Sequence, residues 1–314
     1  MIYRTLGKTG LKVSALSYGA SPLGSVFRDI DEAEGIRTVH TAIDLGINFI
    51  DVSPYYGLTR AETVLGRALA TLPRDSYLLA TKVGRYDKAE FDFSAARVKR
   101  SVDESLQRLG VDVIDLIQVH DIEFGSLDQV VEETLPALRE VQRAGKARFV
   151  GITGYPLHSF RYVLERAEVD TILSYCRYSL NDPALAGLIP DLQAKEIGII
   201  SASPLSMGLL THRGAPAWHP APAELKAACV RAAEYCRSRG ADLSRLALQF
   251  STANEAIATT LVGTASPENL QQNAAWIEEP LDEELLAEVR QIFASVANLT
   301  WPTGRPENAD VASK

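Results

Sequence analysis

The segment SAARVKRSVDESLQRLGVDVIDLIQVH, residues 94–120, joins an amphipathic stretch to a strongly apolar one. In the first part apolar residues recur three and four positions apart, Ser94 is a suitable N-cap and Gly110 a suitable stop, so we predict a helix. The second part, VIDLIQVH at 113–120, has the near-continuous apolar character of a strand covered on both faces. A helix followed by such a strand is the repeating unit of a parallel α/β fold.

Further apolar runs of the same kind recur along the chain, with amphipathic stretches between them. They are SALSYG near residue 16, INFID at 47–51, YLLATK at 77–82, ARFVGIT at 147–153, DTILSY at 170–175, IGIISAS at 197–203 and AIATTLVG at 256–263. About eight strand and helix units result, which is the count of a closed parallel barrel. No shift in composition marks a linker. We therefore predict an α/β fold in which residues 1–314 form one (β/α)8 TIM-barrel domain.

A doubly wound sheet is the competing architecture because it has the same alternation of strands and helices. It would be signalled by G-x-G-x-x-G after the first strand, and this motif is absent. Two segments fall outside the repeat. YRTLGKTGLKVS at 3–14 predicts a short β-hairpin outside the barrel, and the polar stretch from about 302 predicts a loose C-terminal tail.

Composition excludes several classes of function. The formal net charge of -8, without a basic block, argues against a nucleic-acid partner. The three cysteines and five histidines lack metal-ligand spacing, so we expect no disulfide framework and no metal site. Neither a signal peptide nor an apolar run of roughly 18 residues is present, which predicts a cytoplasmic protein without a membrane partner.

Polar residues end three successive predicted strands. Asp51 ends the second strand, Lys82 the third and His120 the fourth, while Tyr56 lies in the loop after the second. Taken singly, each of these residues has an ordinary structural explanation, and Tyr55 could be confused with Tyr56. Because the carboxyl ends of barrel strands converge on one face, we predict that the four side chains form one site.

Such a set can carry a proton. A phenol has an ordinary pKa near 10, but an ammonium at ~4 Å and an effective dielectric of about 20 contributes roughly 4 kcal/mol toward the phenolate. We expect Lys82 to lower the pKa of Tyr56, which then acts as a general acid or base. Asp51 would keep Lys82 charged, and His120 would hold the substrate oxygen by a hydrogen bond.

With these residues the chain resembles the aldo-keto reductase superfamily over essentially its full length. The resemblance is carried by YRTLGKTGLKVSALSYG, GINFIDVSPYYG, AETVLGRAL, ATKVGR, SVDESLQRLGVDVIDLIQVHD, ISASPLSMGLL and LVGTASPENLQQN. It implies that Asp51, Tyr56, Lys82 and His120 transfer a proton while a nicotinamide cofactor transfers hydride.

The resemblance also implies a cofactor extended across the barrel mouth. The matching positions are Thr153, Tyr175, Ser203, Leu205, Gly208, Gly263, Thr264, Asn269, Gln272 and Asn273. Gly263 and Asn269 stand where members that prefer NADPH carry the cations for the 2'-phosphate, which favours NAD. NADP stays possible, because another basic residue such as Arg60 or Arg245 could approach from a different loop.

Within the superfamily the chain is most similar to aldose 1-dehydrogenases that act on L-galactose, L-fucose or D-arabinose. The marks are FDFSAARVKRSVDESLQRL, HDIEFGSLDQ, ILSYCRYSLND, APAWHPA and NLTWPTG. This similarity implies oxidation of the C1 hydroxyl of an L-sugar hemiacetal to a lactone, with Tyr56 as phenolate taking the proton and His120 positioning the oxygen. The further candidate contacts to the sugar are Asp121, Glu123, Trp218, His219 and Trp301.

Two other functions fit the same fold. One is a general aldehyde reductase that runs in the opposite direction on NADPH. The other is a non-catalytic, cofactor-binding regulatory subunit that resembles the potassium-channel β subunits. For the enzyme we expect a small sugar as the ligand and a monomer or homodimer as the assembly.

Overall fold

The computed structural model describes residues 1–26 and 29–310. Each predicted apolar run supplies one strand of a barrel. These strands are β3 (Leu16–Gly19), β4 (Phe49–Asp51), β5 (Leu78–Val83), β6 (Ile114–Val119), β7 (Ala147–Gly154), β8 (Thr171–Tyr175), β9 (Gly198–Ala202) and β10 (Thr259–Gly263). They are parallel and close in the order β10-β3-β4-β5-β6-β7-β8-β9, which confirms the predicted TIM barrel.

Helices surround the barrel and bury their apolar faces against the strands. They are α1 (Glu32–Asp44), α2 (Arg60–Leu69), α3 (Ala95–Leu109), α4 (Leu127–Gln129), α5 (Leu135–Arg143), α6 (Leu157–Leu164), α7 (Ile189–Ala194), α8 (Ala223–Ser238), α9 (Leu243–Ala253), α10 (Pro267–Trp276) and α11 (Glu283–Phe293). A π-helical turn, Val130–Thr134, connects α4 to α5. The caps of α3 are the predicted ones, since the Ser94 side chain accepts from Arg97 N and Gly110 is left-handed with φ 69°.

The predicted N-terminal hairpin is confirmed, and it closes the lower end of the barrel. Strands β1 (Tyr3–Thr5) and β2 (Lys12–Ser14) pair antiparallel. Leu6, in the turn between them, is fully buried and shares an apolar cluster with Phe49 and Leu116 of the barrel strands. A Cβ on Gly7 would lie 2.3 Å from the main-chain nitrogen of Gly198, so this close approach requires glycine. The polar residues Asp51, Lys82 and His120 lie at the opposite end of the barrel, where the strands end.

The C-terminal segment 302–310 is docked, so the prediction of a loose tail is wrong for these residues. The amide of Asn308 donates to the main-chain oxygens of Glu123 and Gly125, both at 2.9 Å. The carboxylate of Asp310 lies 3.0 Å from Arg177 Nη2. Proline and polar residues suggest a free end, but here the polar groups satisfy main-chain groups of the loop after β6. Residues 311–314 lie outside the described residues.

Three further features bear on the sequence predictions. In the described part of the chain no helix has the length and apolar character needed to cross a membrane. Cys176, Cys229 and Cys236 are all buried free thiols. Among residues 1–26 and 29–310, no group of three His, Cys, Asp or Glu side chains is arranged to hold a metal ion.

Candidate active site

The barrel brings Asp51, Lys82, Tyr56 and His120 together at its C-terminal mouth. Asp51 is the last residue of β4, Lys82 is next to last in β5, and His120 directly follows β6. The ammonium of Lys82 donates to the carboxylate of Asp51, to the main-chain oxygen of Val52 at 2.9 Å and to the hydroxyl of Tyr56 at 3.4 Å. All three ammonium hydrogens are therefore used, which fixes the charge beside the phenol.

The charge on Lys82 is stabilised although the side chain is only 2% exposed. Burial opposes the charged form, but the carboxylate of Asp51 and the oxygen of Tyr56 outweigh it, and the pKa of Lys82 lies above its ordinary value. A buried ammonium is tolerated only when it is paired and hydrogen-bonded in this way. The site therefore holds a permanent cation next to Tyr56.

The phenol of Tyr56 does not have the lowered pKa that the sequence led us to expect. Burial raises its pKa to about 12, and the attraction of Lys82 only partly opposes this rise. The negative charges of Asp51 and Asp121 act in the same direction as burial. The expectation was wrong because it counted the ammonium without the cost of removing a phenolate from water. At neutral pH the phenol in this structure carries its proton.

The loop that carries Tyr56 is held by a close approach of two glycines. Gly57 has φ 63°, and a Cβ at this position would lie 2.0 Å from the main-chain oxygen of Gly24. The main-chain nitrogen of Tyr56 donates to Ser53 O at 3.1 Å. Tyr55, the other tyrosine of the loop, packs its ring 3.9 Å from the guanidinium carbon of Arg85. The geometry thus singles out Tyr56 as the phenol beside the ammonium.

His120 is neutral in this environment. Burial lowers its pKa to about 3, with further lowering by the cations Lys82 and Arg85, and Asp121 opposes them only in part. The imidazole lies edge-on to the ring of Tyr56, with 5.6 Å between the ring centroids. Its Nε2 is 3.6 Å from Asp121 Oδ2. A neutral imidazole beside the phenol can orient a substrate oxygen without competing as a permanent charge.

Three residues of the site were missed by the sequence analysis. Gln118 donates through Nε2 to Asp51 Oδ2 at 2.8 Å, the hydroxyl of Ser53 lies 3.0 Å from His120 Nδ1, and Arg85 pairs with Asp121. The alternation of strand residues could have found Gln118, because it lies two positions before His120 and points to the same side. Ser53 and Arg85 lie in loops, where the sequence gives no such signal.

Among the predicted sugar contacts, Asp121 lies against His120, and the two tryptophans contact other aromatic rings. Trp301 is 6% exposed and stacks on the ring of Tyr155 at 4.9 Å. Trp218 is 54% exposed, and its ring lies 5.8 Å from that of His219, which in turn is 5.1 Å from Trp301. These rings form a row that begins at Tyr155, directly after β7. Glu123, the remaining candidate, is fully buried and accepts from the hydroxyl of Tyr175 at 3.2 Å.

The residues that match cofactor contacts lie on β7, β8 and β10, in the loop after β9 and on α10. The hydroxyl of Thr153 accepts from Asp121 N at 2.9 Å, which leaves its hydrogen to donate, and Tyr175 ends β8. After β9, Ser203 and Gly208 have φ values of 58° and 101°, with Leu205 between them. The remaining positions form a partly exposed strip from the end of β10 into α10, made of Gly263, Thr264, Asn269, Gln272 and Asn273.

This donor set fits an extended dinucleotide. It consists of hydroxyls, side-chain amides and main-chain groups next to the N-terminus of a helix, the groups that commonly hold phosphates and riboses. The Ser266 side chain caps α10 by accepting from Asn269 N at 3.2 Å. A ring at the mouth, Tyr175, can pack against a flat heterocycle. These residues would hold the cofactor beside Tyr56 and His120.

Comparison with known proteins agrees with this geometry. A model of the Aldo/keto reductase family matches residues 15–294. L-galactose dehydrogenase of Arabidopsis thaliana is 53% identical over 97% of this chain and 98% of its own. D-threo-aldose 1-dehydrogenase of a Pseudomonas species is 31% identical over 90% of this chain and 94% of its own.

Solved structures give the same result. The aldo-keto reductase of Bacillus halodurans in its holo form superposes with a TM-score of 0.78 at 30% identity, covering 96% of this chain and 98% of that one. The family match over residues 15–294 includes Asp51, Tyr56, Lys82 and His120. The chain therefore belongs to the aldo/keto reductase family, whose members use nicotinamide cofactors.

Proposed function

We propose that this protein is an aldose 1-dehydrogenase that oxidises the C1 hydroxyl of an L-sugar hemiacetal, of the L-galactose or L-fucose type, to the lactone. The observation that carries the proposal is the phenol of Tyr56 at 3.4 Å from the buried ammonium of Lys82, beside a neutral His120. The names of the relatives from Arabidopsis thaliana and Pseudomonas support the choice of a sugar hemiacetal over other alcohols.

In the proposed reaction each residue of the site has a separate task. Tyr56, as phenolate, takes the proton of the C1 hydroxyl, and Lys82 stabilises that phenolate while Asp51 holds Lys82 in place. His120 binds the same oxygen and orients it. A bound nicotinamide cofactor supplies the acceptor for the hydride that leaves C1. The oxygen then becomes the carbonyl of a lactone, and the proton stays on the protein until the next exchange with solvent.

Recognition of the sugar would use a carboxylate and aromatic rings. Asp121 lies 3.6 Å from His120 Nε2 and can accept a hydrogen bond from a hydroxyl next to C1. Arg85, whose side chain is 15% exposed, holds this carboxylate in position. Trp218, which is 54% exposed, offers an apolar face on which a pyranose ring can pack, and the buried Trp301 supports it through the ring of His219. A polyhydroxylated ring therefore suits this mouth better than a simple aliphatic aldehyde.

We assign NAD as the preferred cofactor. A 2'-phosphate requires cations, and the matching positions Gly263 and Asn269 are exposed but uncharged. The charged side chain of this turn is Glu268, whose carboxylate accepts from Ser266 Oγ at 2.7 Å and would repel a phosphate. Arg245, considered as a substitute, is paired with Glu279 at 2.6 Å.

The alternative is reduction of aldehydes with NADPH, and one observation favours it. Because burial raises the pKa of Tyr56 to about 12, the phenol is protonated at neutral pH and is ready to donate to a carbonyl oxygen. The same site can catalyse both directions, so the substrate and the cofactor decide between them.

We also propose that the enzyme works in the cytoplasm, where its free buried thiols would stay reduced.

The test is a substrate panel on the purified protein. L-galactose, L-fucose, D-arabinose and simple aldehydes are assayed against NAD and NADP in both directions. We expect NADH formation that depends on an L-sugar, with a higher kcat/KM for NAD than for NADP. If no sugar produces NADH while aldehydes are reduced rapidly with NADPH, the proposed function is wrong and the reductase is correct.

A further inference from the structure

The neutral ring of His120 carries a single proton, and its position decides what the ring offers to a substrate. Nδ1 lies 3.0 Å from the hydroxyl of Ser53, inside the loop after β4. Nε2 faces the mouth, 3.6 Å from Asp121 Oδ2. If Nε2 holds the proton, the ring donates to the substrate oxygen. If Nδ1 holds it, the ring presents a bare nitrogen that competes for the proton of the substrate.

The hydrogen bonds at Ser53 distinguish these two forms. Its oxygen is fully buried and already accepts from the main-chain nitrogen of Tyr55 at 3.2 Å. If Nδ1 of His120 also donated to this oxygen, the hydroxyl hydrogen of Ser53 would have no acceptor within residues 1–26 and 29–310. If Nδ1 is bare, the hydroxyl donates to it and every donor is satisfied. A buried donor without a partner is costly, so the second arrangement is the stable one.

The other side of the ring gives the same answer independently. The carboxylate of Asp121 is held by Arg85, whose guanidinium also packs on the ring of Tyr55. A lone pair on His120 Nε2 would face a carboxylate oxygen, and two acceptors repel each other. A hydrogen on Nε2 makes the same contact attractive. Both neighbours of the imidazole therefore favour the proton on the nitrogen that faces the mouth.

We propose that Ser53 is a positioning residue that fixes His120 as the Nε2–H tautomer, so that the ring donates to the oxygen on C1 and Tyr56 remains the proton acceptor. The part of this inference that concerns the sugar oxygen depends on the proposed function. The tautomer itself does not, because it follows from contacts within the protein. Ser53 thus keeps His120 as the hydrogen-bond donor, so that it does not compete with Tyr56 for the proton.

The tautomer can be read directly in the wild-type protein without substrate. The protein is labelled with ¹⁵N-histidine, and the ring signals of His120 are assigned by their loss in His120→Asn. We expect Nε2 to show the chemical shift of a protonated, pyrrole-type nitrogen and Nδ1 that of a bare, pyridine-type nitrogen. The reverse pattern would overturn the proposal, and this measurement requires no variant at Ser53.

Substitution at Ser53 tests the consequence for turnover. Ser53→Ala removes one of the two contacts that hold the proton on Nε2 and leaves Asp121 in place, so we expect an Nδ1–H signal to appear beside the Nε2–H signal of His120. The kcat for sugar oxidation should fall by about twofold to tenfold, with unchanged affinity for NAD. Ser251→Ala is the matched control, since this buried hydroxyl donates to Tyr178 O at 2.7 Å outside the site. It should leave both the signal and kcat unchanged.

An unchanged tautomer in Ser53→Ala would refute the positioning role, whatever happens to kcat. The two proposals can fail separately. If the wild-type enzyme oxidises no sugar, the proposed function is wrong, while the ¹⁵N pattern of His120 still decides the role of Ser53.

Discussion

The two ends of the barrel carry clusters that each combine a carboxylate, a cation and a phenol. At the mouth Asp51, Lys82 and Tyr56 meet. At the lower end Asp115 accepts from Arg74 at 2.6 Å, and the same arginine packs 4.8 Å from the ring of Tyr77. In each cluster a carboxylate holds a cation beside a phenol. Residue type alone therefore does not make a proton-transfer site.

The difference lies in exposure and in the third partner. The side chains of Lys82 and Asp51 are 2% and 4% exposed, so the field of the ammonium is little screened by water. Arg74 is 42% exposed, so water and salt screen its charge. The cluster at the mouth also has a neutral histidine beside the phenol. We propose that the lower cluster stabilises the barrel and that the upper one performs the chemistry.

The largest expected effect separates the two phenols. Tyr56→Phe removes the proton carrier and should lower kcat by about 10²–10⁴, with little change in the dissociation constant for NAD. Tyr77→Phe, the matched change at the lower end, should leave kcat unchanged. Steady-state assays and fluorescence titration with NAD measure both quantities. Equal effects of the two substitutions would remove the distinction between the clusters.

Removal of a cation should cost more stability at the mouth of the barrel than at its lower end, where Arg148 also pairs with Asp115. Lys82→Met leaves the carboxylate of Asp51 buried without its partner and should lower the free energy of unfolding by about 3–5 kcal/mol. Arg148→Met removes a second, 49% exposed partner of Asp115 and should cost only about 0–1 kcal/mol. Urea unfolding gives both values.

The double variant Asp51→Asn, Lys82→Met sharpens this result. It removes both buried charges, so we expect part of the lost stability to return while turnover stays low. A double variant less stable than Lys82→Met would show that the pair is not coupled as described.

The pH dependence of sugar oxidation follows from Tyr56. Its pKa is raised to about 12, so the phenolate that accepts the proton is a small fraction at neutral pH and grows as pH rises. We expect kcat for oxidation to increase by up to about tenfold per pH unit above neutrality. Aldehyde reduction, which needs the protonated phenol, should not increase over the same range. A plateau of the oxidation rate near neutral pH would contradict the raised pKa.

The smallest effect concerns the docked tail. Asn308→Ala leaves the main-chain oxygens of Glu123 and Gly125 without this donor and should lower the free energy of unfolding by about 1–3 kcal/mol. Because the same loop carries Asp121, we expect a severalfold higher KM for the sugar with kcat nearly unchanged. Glu307→Ala, an exposed neighbour, is the control and should change neither quantity.

The sequence was sufficient for the barrel and for the location of the four polar residues. Apolar runs have a clear period, and the convergence of parallel strand ends follows from the fold, so the order of the strands alone predicts that Asp51, Lys82 and His120 meet. The direction of the Tyr56 pKa could not be predicted, since it depends on how completely the phenol is removed from water. The loops and glycine contacts that bury the phenol of Tyr56 leave no periodic pattern in the sequence.

Long-range partners in loops were also beyond the sequence. Arg85 lies 36 positions from Asp121, and Asn308 lies 185 positions from Glu123. No local sequence pattern indicates that residues so far apart along the chain are in contact. The prediction of a loose tail was wrong because its polar side chains bind main-chain groups, which composition does not reveal.

The central claim is that the ammonium of Lys82 stabilises the phenolate of Tyr56 and so opposes the rise in the pKa of Tyr56 that burial causes. It is tested most directly by ¹³C NMR of ring-labelled tyrosine, in which the Cζ signal of Tyr56, assigned with Tyr56→Phe, is followed during alkaline titration. We predict that this signal moves toward the phenolate position at a lower pH in the wild type than in folded Lys82→Met. Identical curves, or an earlier shift in Lys82→Met, would contradict the account.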